Sequence, residues 1–561
     1  MDTAKTHSTQ GAPAECIKEV ETINPATPSN ACTVKPRKAL LTSLITLSSA
    51  ENREEDMRAE LQYAMKRGIL FAELQRQEKE IQKLVASHCG LASPDSVQIS
   101  EMVEEANNKA VWLHGSFNVC IPVYIKSPGR SLPARMGFRV PLPYKIGEES
   151  FPGNAEEKVR SEAATYIWIN KNCPDIPIPK LHGFGVPGGL SFFNPGSVSL
   201  WQRIKSYVWR FFCCIYRSPG FCEYIPQLRT TFLTHGYVLI DWIESDDTQQ
   251  LSNTFTMPHT DAQAQNLYQS MSRIMISLAK VPQPRIGSWT IDNHGRISLS
   301  NRPMFCHLHQ LENWDIPTGI ARNMTYTSTD SFYLDLLTSH DNRLQYQGNA
   351  VYSEEDARAQ AKDLVLMRAL LNKFTDRYLC EGPFLMQLTD IHASNIFVDK
   401  DWNIKHIIDL EWTCSLPLGY LLPPFWLTGK AVDQIKGPEY KPFKECYERF
   451  VKVFEQEEMG APLHHNGNLH SRATTMMSAL EDGRYWYLNA LRTPKGLFNL
   501  FRTHLEPLYD RVSKESLCTA VSPFWIPGMT PFVNSKLEEF TQYRQEVRDI
   551  FNSGKSGRFY I

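Results

Sequence analysis

The sequence predicts an α+β fold in two lobes, a small antiparallel β-rich lobe followed by a larger, mainly helical one, with a helical extension in front. Three observations carry that expectation. Runs rich in Val, Ile, Tyr and Phe concentrate early, where Val111–Ile125, Met136–Val140 and Tyr237–Glu244 read as strands. Apolar residues at helical spacing take over later, in Leu267–Leu278, Ala359–Leu379, Tyr447–Phe454 and Leu537–Phe551. Between the last four, one hairpin interrupts the helical pattern: Ile396-Phe-Val398 runs out, Lys400-Asp-Trp-Asn403 turns the chain, and Ile407-Ile-Asp409 returns.

Residues 1–37 mix Thr, Ser, Pro and Asn without periodicity, which predicts a flexible tail. In 38–100, Met57, Leu61, Met65, Leu70, Leu74, Ile81 and Leu84 recur near helical spacing among many charges. No heptad holds over several turns, so these helices are expected to pack on the lobe that follows rather than to project as a coiled-coil or partner-binding arm. The β-rich lobe is expected over 101–244, its first two strands joined around Gly115-Ser116. Glu157–Trp168 reads as a helix, with Glu156 and Glu157 facing solvent at its start, where acids suit the dipole. Glu162 directly precedes the apolar run Ala163–Trp168.

An insertion of about 187–230 separates strands of this lobe. Leu200–Tyr216 within it is aromatic, apolar and studded with Arg and Lys. The expectation is a helix packed on the small lobe or across the cleft. An interfacial membrane helix, with Cys213-Cys214 open to acylation, is the alternative. The larger lobe takes 245–561 and contains the loop and hairpin 388–411. Ser339–Gln347 is densely polar and reads equally as a substrate-binding stretch or a solvated insertion. Pro417 and Pro423-Pro424 mark an irregular segment after the hairpin, and Trp412, Trp426 and Trp486 are expected as core anchors.

The chemistry lies in Asp390-Ile-His-Ala-Ser-Asn395 and in Asp409-Leu-Glu411 at the end of the hairpin. Phosphoryl transfer from a nucleotide needs a carboxylate to orient or deprotonate the acceptor hydroxyl, and oxygen ligands that hold magnesium across the β- and γ-phosphates. Asp390 fits the base; Asn395 and Asp409 fit the metal ligands. An Asp and an Asn five apart are common turn residues. What distinguishes this pair is its setting, two β-rich apolar runs around a polar turn with a second carboxylate at the end of the return strand.

At these residues the chain resembles the aminoglycoside phosphotransferase and choline kinase-like group, whose core is a protein-kinase-like fold. The group's pattern is His-x-Asp, four residues, Asn, then a hairpin ending in Ile-Asp-x-Glu or Ile-Asp-x-Asp; here Leu388 stands in place of the histidine. Gln387-Leu-Thr-Asp390, Asp409-Leu-Glu-Trp412 and Pro423-Pro-Phe-Trp-Leu-Thr428 resemble a fungal branch of that group with no defined substrate. The resemblance implies that the Gly115-Ser116 turn covers the nucleotide phosphates through backbone N–H groups. It also implies that Arg139 stands where the fold carries a phosphate-binding lysine, with Lys145 as a rival, and that Glu162 pairs with that cation. Tyr237–Glu244 would lead into the hinge, where backbone groups at Asp241 and Ile243 meet adenine.

Composition sets further bounds. Lys+Arg 59 against Asp+Glu 61 in 561 residues leaves no basic balance for nucleic acid. The amino terminus lacks an apolar signal core, no window offers ~20 apolar residues in a row, and 13 scattered cysteines suit a reducing compartment, so a cytoplasmic enzyme is expected. Gly183-Phe-Gly185-Val-Pro-Gly188 has the letters of a dinucleotide fingerprint, but Pro187 and Asn194-Pro-Gly196 leave no helix to follow it. Cys306-His307-Leu-His309 has no second cluster to complete a zinc set and reads as core. The expected activity is transfer of the ATP γ-phosphate, with magnesium, to a hydroxyl of a small molecule. The alternative is a catalytically weak or inactive kinase-like protein that binds nucleotide or a partner, suggested by Leu388, the glycine-poor turn and Arg139. His-Arg-Asp, Asp-Phe-Gly and Ala-Pro-Glu are all missing, which disfavours a protein kinase.

Overall fold

Eight short runs, most of them buried along nearly their whole length, pair into one antiparallel sheet. In chain order they are β1 (Val97–Ile99), β2 (Leu113–His114), β3 (Asn118–Ile125), β4 (Arg135–Pro141), β5 (Leu181–Gly185), β6 (Leu190–Phe193), β7 (Ile225–Leu228) and β8 (Tyr237–Asp241). They lie in the order β7-β6-β5-β8-β4-β3-β1, with β2 also paired to β3. The computed structural model describes residues 37–104, 109–126, 132–215, 220–229, 231–243, 247–459, 463–465, 468–493, 496–509 and 514–553. All but the last residue of the expected 1–37 tail therefore lies outside the described residues.

The period of two along a strand decides which side chains enter the cleft. Met136, Phe138 and Val140 of β4 share one face with Val119, Ile121 and Val123 of β3. Arg139, between Phe138 and Val140, faces the other way. Helices α1 (Tyr63–Arg76) and α2 (Glu78–Cys89) cover the apolar face with Leu70, Leu74, Ile81, Leu84 and Val85. The amphipathic extension is thus a packing element against the sheet. His88 of α2 reaches the Tyr237 hydroxyl at 2.7 Å, and burial pushes its imidazole down to about 3, so it is neutral. A β-carbon at Gly183 would lie 2.1 Å from the His88 ring. The glycines of Gly183–Gly188 therefore answer to close packing: the segment is β5 and the turn into β6, with no helix behind it.

On the other face lies α3 (Asn154–Asn172), packed along the hairpin β9 (Ser288–Ile291) and β10 (Ile297–Asn301). Here one expectation is corrected. Glu157 does not face solvent; it is buried and accepts from Arg302 Nε at 2.9 Å and Nη2 at 2.8 Å. Arg302 also donates to Glu312 at 2.5 Å and to the Ile320 carbonyl at 3.1 Å. The partner lies 145 residues away, beyond anything helical periodicity can register.

The insertion does form a helix, α4 (Leu200–Ile215), between β6 and β7. Its aromatic side does not pack on the sheet, which corrects the second expectation: Trp201 is 74% exposed, Phe211 65% and Phe212 57%. The inward side is tied down by Arg210, which donates to the carbonyls of Cys222 at 2.7 Å and Tyr224 at 2.6 Å, and by Trp209, whose ring packs edge-on against Phe221 with centres 5.3 Å apart. The side chains of Cys213 and Cys214 lie outside the described residues. Among the described residues no helix is long and apolar enough to cross a membrane.

The rest is mainly helical. Helix α5 (Asp261–Ala279) starts in a capping box, Thr260 accepting from the Gln263 N–H while the Gln263 side chain accepts from the Thr260 N–H. The helices that follow include α6 (Thr329–Tyr346), α7 (Glu354–Ala369), α8 (Tyr440–Glu458), α9 (Arg484–Arg492) and α10 (Met529–Asn552). The polar run Ser339–Gln347 belongs to α6 and its junction. Contrary to both expectations for it, Ser339, His340, Arg343 and Gln347 are buried, and Gln347 donates to the Glu54 carbonyl at 2.7 Å. Helix α10 closes over residues 45–57, packing Tyr543, Val547 and Phe551 on Ile45, Ala50 and Met57. One large core runs from α3 and the near face of the sheet through these helices.

Candidate active site

The loop and hairpin are held by a two-stranded frame. Strand β11 (Phe384–Leu388) pairs with β14 (Thr413–Pro417), Leu388 opposite Thr413. Beyond the frame, Thr389 extends the pairing by donating both its N–H (3.0 Å) and its hydroxyl (2.6 Å) to the Trp412 carbonyl. Between them the chain runs through Asp390–Asn395, β12 (Ile396–Val398), a turn, and β13 (Ile404–Ile407). The turn is built by Asp399, which accepts from the N–H groups of Asp401 (3.0 Å) and Asn403 (2.9 Å). Asn395 then ties the two limbs together: its Nδ2 donates to the Asp390 carbonyl and its own carbonyl accepts from the Ile408 N–H, each at 3.0 Å. Asp390, Asn395 and Asp409 are thereby brought to one place. Asp409 adopts φ +60°, a left-handed conformation that an aspartate holds at a cost and that clusters at functional sites.

Arg139 links this loop to the sheet. Its guanidinium contacts Glu162 of α3 at 3.4 Å, Glu411 at 3.2 Å, and Asp409 directly. A planar fork suits three carboxylates at once, where an ammonium would have to choose. Lys145 lies elsewhere, its ammonium 4.2 Å from the centre of the Tyr63 ring. The second cation of the cluster is Lys158, fully buried on α3, with its ammonium 2.5 Å from Glu411 and 2.6 Å from the Asn118 amide oxygen. Lys158 and Glu411 were not singled out from the sequence. A signal existed for each: Lys158 is one helical turn before Glu162 on the same helix, and Glu411 is the second acid of Asp409-Leu-Glu411.

The electrostatics leave negative charge in excess. Asp390, Asp409, Glu411 and Glu162 face Arg139 and Lys158, with Arg492 at the far edge. Burial, then the charges of Asp409 and Glu411, push the Asp390 carboxyl up to about 8, against a downward pull from Arg492. Burial also raises Glu162. Burial opposes the charge on Arg139, but Asp409, Glu162 and Glu411 outweigh it and hold its proton more firmly than usual. His392 is kept neutral by burial. Among the described residues no three His, Cys, Asp or Glu side chains form a closed metal cage. A magnesium ion does not require one, since it keeps waters and phosphate oxygens beside one or two carboxylates. A half-exposed Asp409 in a field of surplus carboxylates, next to an Asn395 whose amide nitrogen is already committed, fits that ion.

Gly115 and Ser116 are exposed at the β2–β3 turn, closed by the Gly115 N–H donating to the Asn118 carbonyl at 2.8 Å. Phe117 packs edge-on against Trp412 with ring centres 5.0 Å apart, and the Asn118 amide reaches Glu411, so the turn overhangs the carboxylate cluster. Asp241 ends β8; its carboxylate lies 2.6 Å from His182 Nε2 and its N–H donates to the Lys180 carbonyl at 3.0 Å. Ile243, half-buried, follows in irregular chain. Neither is joined to the Asp390 cluster by any described bond.

Beside the loop opens a small cavity of about 80 Å³. Thr389 and Ile391, the neighbours of Asp390, line it with Leu388, Met271, Ile274, Tyr420, Phe425, Trp426, Asn489 and Arg492. Trp426 props the loop, its indole N–H donating to the Ile391 carbonyl at 2.7 Å. Arg492, at the end of α9, is the single charged side chain among the described lining residues; it donates to Asn489 Oδ1 at 3.2 Å and lies over the Tyr420 ring.

No family model and no curated protein matches the chain. Among solved structures it is similar to a choline kinase from Cryptosporidium parvum Iowa II, at 10% identity over 82% of this chain and 92% of that one, with a TM-score of 0.29. It is also similar to a macrolide 2'-phosphotransferase type I, at 10% identity over 71% of this chain and 89% of that one, with a TM-score of 0.25.

Proposed function

We propose that the chain is an ATP- and magnesium-dependent phosphotransferase that moves the γ-phosphate to a hydroxyl of a small molecule. The observation that carries this reading is the convergence of Asp390, Asn395 and Asp409 on one hairpin under the Arg139–Glu162 pair. Asp390 receives the acceptor proton; its raised proton affinity brings it into the range where a base both ionises and accepts. Asn395 and Asp409 would hold the magnesium ion, which when bound neutralises charge across the β- and γ-phosphates. Glu162 and Glu411 orient Arg139 for the phosphates, Lys158 holds Glu411 in place, and the Gly115-Ser116 turn covers the nucleotide. Adenine would lie at the end of β8, where the Asp241 N–H is already engaged and the contact falls to the Ile243 backbone. In this reading 101–244 act as the nucleotide-side lobe and 245–561 as the acceptor side, and the cytoplasm is the compartment.

The acceptor lies in the cavity beside Thr389 and Ile391. Its lining is apolar and aromatic, with Arg492 for charge and no acid among the lining residues. A neutral or anionic hydroxyl compound with an apolar body suits a cavity whose charge is that of Arg492. One observation favours a second reading, a kinase-like protein that binds nucleotide without transfer. Arg139 sits directly on Asp409 and Glu411, so the metal must compete with a buried guanidinium.

Purified protein incubated with γ-labelled ATP, magnesium and a metabolite extract separates the readings. Label transfer that disappears in Asp390→Asn supports the enzyme. Thermal stabilisation by magnesium and ATP without transfer supports the binding protein, and absence of both removes nucleotide chemistry altogether.

A further inference from the structure

Helix α4 is inside out for a water-soluble surface. Sixteen residues make it about 24 Å long, and two opposite faces run along it. The face toward the protein carries Arg210 bound to two backbone carbonyls and half-buried Arg203 and Ser206, with Trp209 at its edge packed on Phe221. Trp201, Ile204, Val208, Phe211 and Phe212 recur three and four apart and are exposed, which places them in one outward apolar stripe. Leu228, 79% exposed, lies beside the helix start, where Gln202 donates to Gln227 at 3.3 Å. A helix free to rotate would bury that stripe; here the Arg210 bonds hold it outward.

We infer that α4 docks the protein onto an anionic lipid surface, lying in the plane of the interface. The flanks of the stripe favour lipid over a protein groove. Lys205, exposed, borders it on one side, and no Asp or Glu occurs between Leu200 and Ile215, so the outward face presents only positive charge toward an acidic surface. Trp201 and Tyr207, both exposed, supply amphipathic rings of the kind that settle at headgroup level. The helix is too short to span a bilayer, and a one-sided apolar face with a basic flank is the pattern of interfacial binding. The attachment is reversible and salt-sensitive, and it is independent of the phosphotransferase reading.

Co-sedimentation of the full chain with vesicles of phosphatidylcholine alone, and with a third phosphatidylserine added, tests this. Wild type is expected to bind the anionic vesicles at least about fivefold better than the neutral ones, with the difference shrinking in high salt. The combined variant Trp201→Ser, Phe211→Ser, Phe212→Ser should lose binding at an unchanged melting temperature, because the replaced side chains are exposed. Lys205→Glu, also exposed, should weaken anionic-vesicle binding while leaving the fold intact. Wild type that ignores both vesicle types, or a triple variant that binds as well as wild type, overturns the inference. So does a triple variant with a lowered melting temperature, or a wild type that dimerises in solution where the triple variant is monomeric, since either outcome shows the stripe to be covered by protein.

Discussion

Replacing Asp390 by Asn should stabilise the metal-free protein at alkaline pH and not at acid pH. The Asp390 carboxyl is raised from its ordinary 3.8 to about 8, by burial and by the neighbouring charges of Asp409 and Glu411. Between those values the native state holds a proton that the unfolded chain has released. Stability therefore falls as pH rises through the window, and the full penalty is present above it. Each pH unit is worth about 1.4 kcal/mol, which over the whole window sums to about 5–6 kcal/mol. Asp390 opens onto a cleft, so water and side-chain rotation relieve much of this, and we expect about 2–3 kcal/mol to remain. Unfolding entropy near 2.1 cal/mol/K per residue turns that into about 2–3 °C for a cooperative unit of roughly 500 residues. The assay is the melting temperature of wild type and Asp390→Asn in chelator without nucleotide, at about pH 3.5, below the ordinary carboxylate value, and at about pH 8.5. The gap should open only at the higher pH and close when magnesium and ATP are added to both. An equal gap at both pH values, or an Asn variant less stable than wild type in alkali, would refute the account of the cluster.

Arg139→Ala leaves Glu162 and Glu411 buried without their shared guanidinium and should lower stability by about 3–5 kcal/mol, whereas Arg139→Lys should fall between it and wild type; a wild-type denaturation midpoint in the alanine variant would contradict the cluster. Asp409→Ala and Asn395→Ala should each weaken magnesium-supported ATP binding by calorimetry, the former more because it removes a full charge from a hard cation's ligands; unchanged binding in both would move the metal elsewhere. Arg492→Leu removes the cation that holds Asp390 down, so the acid limb of the pH–rate profile should shift to higher pH, and a limb that stays in place would separate Arg492 from the base.

Several elements followed from neighbouring residues alone. The hairpin that gathers Asp390, Asn395 and Asp409 was legible because everything it needs is local: two β-branched runs, a turn-forming Asp399, and spacings that a short antiparallel pair converts directly into proximity. The alternation along β4 likewise determined that Arg139 would face opposite to Phe138. The tertiary structure decided what depends on distant chain. Glu157 looked like a solvent-facing acid of a first helical turn until Arg302 arrived from another hairpin, and Lys158 became buried only because Glu411 and Asn118 close over it from two other elements. Helix α4 shows the same division most clearly. Its periodicity determined that it would be amphipathic, but which side turns inward depended on whether the carbonyls of Cys222 and Tyr224 or an apolar surface lay beneath it, and a one-dimensional pattern carries no information about what lies beneath.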